Sequence, residues 1–130
     1  MLIEVDRTSA IAERVVSVSF STHVLDAARG CPAANVPLVL RVDDRQGWQT
    51  LAEGVTDGDG RYRYADQAGS DRFPSGKYRV EFDTGSYYSA SGQIGFYPEV
   101  SVTFIVTDSS AHHHVPLLLS PFAYSTYRGS

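Results

Sequence analysis

The stretch VSVSFSTHV, residues 16–24, alternates in character: Val16, Val18, Phe20 and Val24 fall on one face, and Ser17, Ser19, Ser21 and His23 on the other. A repeat of two residues marks an extended strand, because successive side chains leave opposite faces of the pleat. One face suits a core and the other suits water or chemistry, so the segment predicts a half-buried strand with His23 on its polar side. The pattern continues outward. Val36, Leu38, Leu40 and Val42 alternate with Pro37 and Arg41 in a second strand that ends at Asp43-Asp44. Trp48 to Val55 makes a third, closed by Thr56-Asp57-Gly58-Asp59-Gly60, whose Asp-Gly pairs favour tight turns. Arg61 to Tyr64 alternates Arg with Tyr, and Tyr78, Val80 and Phe82 mark another strand. The polar stretch DTGSYYSASG, residues 83–92, suits a short helix; the runs Val100 to Val106 and Val115 to Leu119 follow, before a short aromatic end. Seven or eight short strands separated by Gly, Pro and Asp turns predict an all-β protein, an antiparallel β-sandwich. Residues 1–14 read as an N-terminal extension and residues 15–130 as a single domain.

Composition narrows the function classes. A chain of 130 residues fits one domain with a hydrophobic core of its own. With 42% hydrophobic, 20% charged and 12% aromatic positions, the chain is not disordered. Fifteen acidic against eleven basic residues leave a net charge of −4, which speaks against a nucleic-acid partner or an anionic membrane surface. The single cysteine, Cys31, excludes an internal disulfide and suits a reducing compartment, and no sequence neighbour activates it as a nucleophile. The densest apolar run, Val115 to Leu119, contains Pro116 and is far short of the roughly 18–20 residues that span a bilayer. The first residues carry acids early and lack a basic start before an apolar stretch, so the expectation is a cytoplasmic protein.

Three clusters carry candidate chemistry. In His112-His113-His114 a strand directs His112 and His114 to one face with Pro116, and His113 to the other with Val115, Leu117 and Leu119. Two co-facing imidazoles suit a general base with its orienting partner, or a metal. The plain alternative is a polar strand start with solvated histidines. His23, if it converged with His112 and His114, would complete either a three-histidine zinc site or a metal-free acid-base cluster. Asp57-Gly58-Asp59-Gly60 fails as a calcium loop, because the fifth and twelfth positions hold Arg61 and Ala68 instead of oxygen ligands. Read as a turn, it delivers Arg61 to the start of the next strand, where a guanidinium can grip a planar polar substrate or remain a surface charge. No nucleophile elbow, phosphate-binding loop or dinucleotide fingerprint occurs.

At these same clusters the sequence resembles the transthyretin-related family, whose enzymatic members are 5-hydroxyisourate hydrolases. The resemblance is carried by STHVLDAARGCPAANVPLVL (21–40), TDGDGR (56–61), FYPEVSVTF (96–104) and HVPLLLSPFAYSTYRGS (114–130), and runs from about residue 17 onward. The closing Tyr127-Arg128-Gly129-Ser130 resembles the enzyme branch and not the thyroid-hormone carriers. The resemblance implies a transthyretin-like sandwich assembled as a homotetramer, a dimer of dimers, with active sites in the cleft between dimers. It implies cofactor-free opening of the ring of 5-hydroxyisourate in urate breakdown, and in some members a bound zinc. By motif it implies catalytic roles for His23, Arg61, His114 and Ser130, whose chain-terminal carboxylate would orient a histidine; His112, Tyr127 and Arg128 would support the site. The rival it leaves is a carrier of an aromatic ligand in the channel between dimers, for which an apolar lining is expected.

Overall fold

The computed structural model of the chain describes residues 19–65 and 73–130; the expected extension, residues 1–14, and Val16 and Val18 of the opening strand lie outside the described residues. Alternation resolves into β1 (Phe20–Asp26), β2 (Cys31–Pro32), β3 (Pro37–Asp44), β4 (Gly47–Val55), β5 (Arg61–Tyr64), β6 (Gly76–Phe82), α1 (Thr84–Ala90), β7 (Val100–Val106), β8 (His113–Ser120) and β9 (Ala123–Thr126). Eight of these strands have four or more residues and β2 has two, in line with the expected number.

The strands form two packed sheets. One has the order β4-β3-β6-β7; the other runs β2-β1-β8-β9, with β5 pairing β1. β2 and β5 share one edge of β1: Leu25 and Asp26 oppose Pro32 and Cys31, while Phe20 to His23 oppose Tyr64 to Arg61. One pairing departs from the antiparallel expectation. β1 and β8 run parallel, with Ser21 beside His114 and His23 beside Pro116. These strands come from opposite ends of the described chain, and the whole second sheet serves as their crossover, so no tight turn forces them to run antiparallel.

The core lies between the sheets and is drawn chiefly from alternate residues of β1, β3, β6 and β8. Phe20 and Val24 of β1 meet Leu38 and Leu40 of β3, Tyr78, Val80 and Phe82 of β6, and Val115, Leu117 and Leu119 of β8, all buried. Phe73 stacks on Tyr78 with ring centroids 4.2 Å apart. Fully burying one such side chain contributes about 1.5–3 kcal/mol, so slipping β1 or β8 by one residue is strongly disfavoured. Ser21 and His23 of β1 and His114 of β8 are thereby fixed on the outer face of their sheet, while Thr22, Asp26 and His113 are buried.

The helix forms in the expected polar stretch. Asp83 caps it, its Oδ1 accepting the Ser86 amide at 3.0 Å. Its buried Tyr87 donates to Asp26 Oδ2 at 2.6 Å, and Gln93 Nε2 and the Arg29 amide add bonds to the same carboxylate at 3.1 and 3.0 Å. Burial opposes the Asp26 charge, yet these bonds hold its carboxyl below the usual range, and Tyr87 is pushed up by burial and by that charge. The helix is thus tied to the end of β1. Among the described residues, no helix is long and apolar enough to cross a membrane.

Candidate active site

The Asp57 turn sets the position of Arg61. Asp57 Oδ1 accepts the amides of Asp59 and Arg61 at 2.9 and 3.0 Å, and the Asp57 amide donates to the Arg61 carbonyl at 2.8 Å. Those amide bonds, the Arg61 amide first, hold the Asp57 carboxyl below its ordinary range. Gly60 has φ +78°, and a Cβ there would overlap the Val24 carbonyl oxygen, so only glycine lets the turn lie against β1. The Val24 amide closes the contact by donating to the Gly60 carbonyl at 2.7 Å. Arg61 therefore opposes His23 across the β1–β5 ladder, and Arg63 opposes Ser21.

On the other side of β1, the parallel register brings His114 of β8 and His112, just before that strand, to the same patch. Ser21 Oγ lies 2.7 Å from His112 Nε2 and 2.7 Å from His114 Nδ1. The imidazole centroids are 6.3 Å apart. The chain end then folds back over the strand: the Gly129 amide donates to the His114 carbonyl at 2.9 Å. A Cβ on Gly129 would overlap His114 Cδ2 and approach Pro116 Cγ to 3.3 Å, so the missing side chain is what lets Ser130 reach the patch.

Together these residues enclose a cavity of about 240 Å³, lined by Ser21, Thr22, Arg61, Arg63, His112, His114 and Ser130. Burial lowers the pKa of His114, and the nearby His112, Arg61 and His23 lower it further, against a bond to the Ser21 backbone that raises it. Its neutral form, the form that accepts a proton, is thereby favoured at neutral pH. The cavity combines this imidazole and that of His112 with two guanidinium groups and three hydroxyl residues, a composition suited to activating water beside a polar, planar substrate.

Of the residues expected at the site, Arg61, His112, His114 and Ser130 come together here. His23 does not line the cavity; it shares the outer face of β1 with Ser21, pairs with Arg61, and acts on His114 through charge. Tyr127 and Arg128 line a neighbouring cavity of about 300 Å³ with Val102, Phe104, the inward-facing His113 and His114, which borders both cavities. Among the described residues, no three His, Cys, Asp or Glu side chains cluster as metal ligands, and the expected trio of His23, His112 and His114 forms no such group. A larger groove of about 670 Å³ lies on the other sheet, lined by Glu53, Glu81, Asp83 and Glu99 among others, and holds no histidine.

Ser21, Arg63 and Gly129 were not foreseen as individual site residues. The two-residue repeat places Ser21 with His23 and Arg63 with Arg61, so the shared faces were readable. The register that sets Ser21 against His114 was not, because it joins segments more than ninety residues apart.

Comparison with known proteins gives one consistent picture. The HIUase/Transthyretin family matches residues 20–129. A 5-hydroxyisourate hydrolase from Caulobacter vibrioides is 48% identical over 116 residues, covering 85% of this chain and 96% of the relative. The solved structure of Klebsiella pneumoniae 5-hydroxyisourate hydrolase superposes with a TM-score of 0.72 at 33% identity, covering 86% of this chain and 99% of that one. Sea bream transthyretin in complex with thyroxine superposes with a TM-score of 0.76 at 36% identity, covering 85% and 93%. On the extent of these matches, with the same sandwich beneath them, the chain belongs to the HIUase/Transthyretin family.

Proposed function

We propose that the chain is a hydrolase that opens the six-membered ring of 5-hydroxyisourate, a cyclic amide, to give 2-oxo-4-hydroxy-4-carboxy-5-ureidoimidazoline in urate breakdown. The observation that carries this reading is the convergence of His112 and His114 on Ser21, beside Arg61 and Ser130, in one polar cavity. Relatives named for that reaction match most of the chain, which supports the same substrate.

Amide hydrolysis needs a base for the attacking water and donors for the oxyanion that forms at the carbonyl. His114, held neutral, takes the proton from water. Arg61 binds the polar edge of the substrate and, with the Ser130 hydroxyl, donates to the developing oxyanion. His23 keeps Arg61 company across β1–β5 and helps disfavour the charged form of His114. Collapse of the tetrahedral intermediate then returns the proton from His114 to the leaving ring nitrogen.

The carrier reading draws on the transthyretin structure, whose overall similarity to this chain is no lower than that of the hydrolase. Fold alone therefore does not separate the two. The lining does: two arginines, two histidines and three hydroxyl residues favour reaction with a polar ring over storage of an apolar one. We also infer a homotetramer, a dimer of dimers, with the cavity facing a cleft between dimers. The outer strands β7 and β9 end their sheets without a partner among the described residues, and the exposed Phe96, Tyr97, Phe122 and Tyr124 give an apolar surface to cover. A cytoplasmic location fits the lone, free Cys31.

The test is direct. 5-Hydroxyisourate generated from urate by urate oxidase is followed by its ultraviolet decay with and without the protein. A catalytic acceleration proportional to protein concentration is expected; decay at the spontaneous rate refutes the reading.

A further inference from the structure

We propose that Ser21 is a positioning residue whose hydroxyl carries protons between His114 and His112, so that His112 is the far end of the proton path. This inference rests on His114 being the base. Ser21 is 8% exposed, and its Oγ sits 2.7 Å from a ring nitrogen of each histidine. A serine hydroxyl has one proton and can donate to only one of the two nitrogens, so at least one of them is itself protonated. For a base acting through Nε2, His114 carries its proton on Nδ1 and donates it to Ser21 Oγ, while Ser21 donates its own to His112 Nε2. The hydroxyl thereby fixes the tautomer that leaves His114 Nε2 unprotonated.

The same chain moves charge without moving heavy atoms. As the water oxygen bonds to the substrate carbonyl carbon, the carbonyl π pair becomes the oxyanion lone pair. The water proton passes to His114 Nε2, the Nδ1 proton passes to Ser21, and the Ser21 proton passes to His112 Nε2. When the C–N bond breaks, its electron pair goes to the ring nitrogen, which takes a proton from His114 Nε2 while the chain runs in reverse. The positive charge rests meanwhile on the exposed His112 instead of on the partly buried His114, whose charged form is disfavoured by burial and by Arg61. The charged and titratable groups around this path include Arg61 and Arg63 from β5, His23 from β1, the two histidines themselves, and His113 of β8, which interacts with His112.

The test uses the full-length enzyme and compares the parent with Ser21→Ala, Ser21→Thr, His112→Ala and the double variant. Ser21→Ala should lower kcat about thirtyfold with KM little changed, and Ser21→Thr, which keeps the hydroxyl, should recover most of it. His112→Ala should cost a similar factor, and the double variant no more than the worse single one, because both changes cut one path. In mixtures of light and heavy water, kcat of the parent should fall along a curve, as several protons move together, and that of Ser21→Ala along a straight line. His112 is exposed, so its variant tests the path even where a Ser21 substitution disturbs folding. Additive losses, or a curve of unchanged shape in Ser21→Ala and His112→Ala, overturn the relay. If His114→Ala keeps its rate, the base assignment beneath the relay fails instead.

Discussion

Three consecutive histidines occupy two opposite environments. His112 and His114 face outward to Ser21 and the arginines of β5, whereas His113 faces inward, 5.8 Å from the Phe73 ring, with its Nδ1 buried and unpartnered among the described residues. The residue type is the same, and the strand repeat alone assigns one pair to chemistry and the third to packing. The comparison predicts that substitutions should separate cleanly: the outer face should lose rate at constant stability, and the inner face should change stability at constant rate.

The largest effect belongs to His114. His114→Ala should lower kcat by about a thousandfold, within the range a general base contributes, while the melting temperature stays near that of the parent. In the parent, the acid limb of kcat/KM should lie below about pH 6.5, the ordinary imidazole value, because burial and the neighbouring cations disfavour protonation. A near-normal kcat in the variant would merge the two faces into one structural role.

Gly129→Ala should have an intermediate effect. The added methyl overlaps the His114 ring, which Ser21 already holds, so either the ring or the chain end must move. A displacement near 1 Å costs up to about a hundredfold in rate, and a loss of tenfold or more in kcat with little loss of stability is expected. Unchanged kinetics would mean that the seat of Ser130 against β8 does not matter for the reaction.

How much of this was legible in the sequence follows from the range of each interaction. Alternation gave the strands, the turn at Asp57 to Gly60 gave the position of Arg61, and the repeat gave the opposite facings of His113 and His114; all are local properties of the chain. The parallel pairing of β1 with β8 was not legible, since period-two patterns are the same for either direction, and so the Ser21 bridge was not either. The expectation that Tyr127 and Arg128 support the site comes from the closing signature they share with Ser130. They line the cavity next to that of Ser130, and His114 is common to both, a junction set by how the chain end folds back on β8 and not by any local pattern.

The smallest effect, and the sharpest for the comparison, lies at His113. Its side chain is 5% exposed. Burial first, and then the charge of Arg128, hold its imidazole below the ordinary value, against the nearby Ala111 backbone and the charge of Asp108, which raise it. In the unfolded chain the same group titrates at about pH 6.5. Above that pH it is neutral in both states and contributes no pH dependence. As the pH falls through that value, the unfolded chain takes up a proton that the folded chain resists, so stability declines until the lowered folded value is reached. His113→Leu removes that decline, and at pH 7 it also removes a buried nitrogen without a partner, for an expected gain of about 1 kcal/mol. Urea unfolding at several pH values between 8 and 5 should therefore show the parent losing more stability on the acid side than the variant. Turnover should remain within about twofold of the parent, as for a packing residue outside the reacting cavity. Parallel stability curves would mean that His113 takes its proton as readily folded as unfolded, and the inward face of β8 would then be no drier than the outward one.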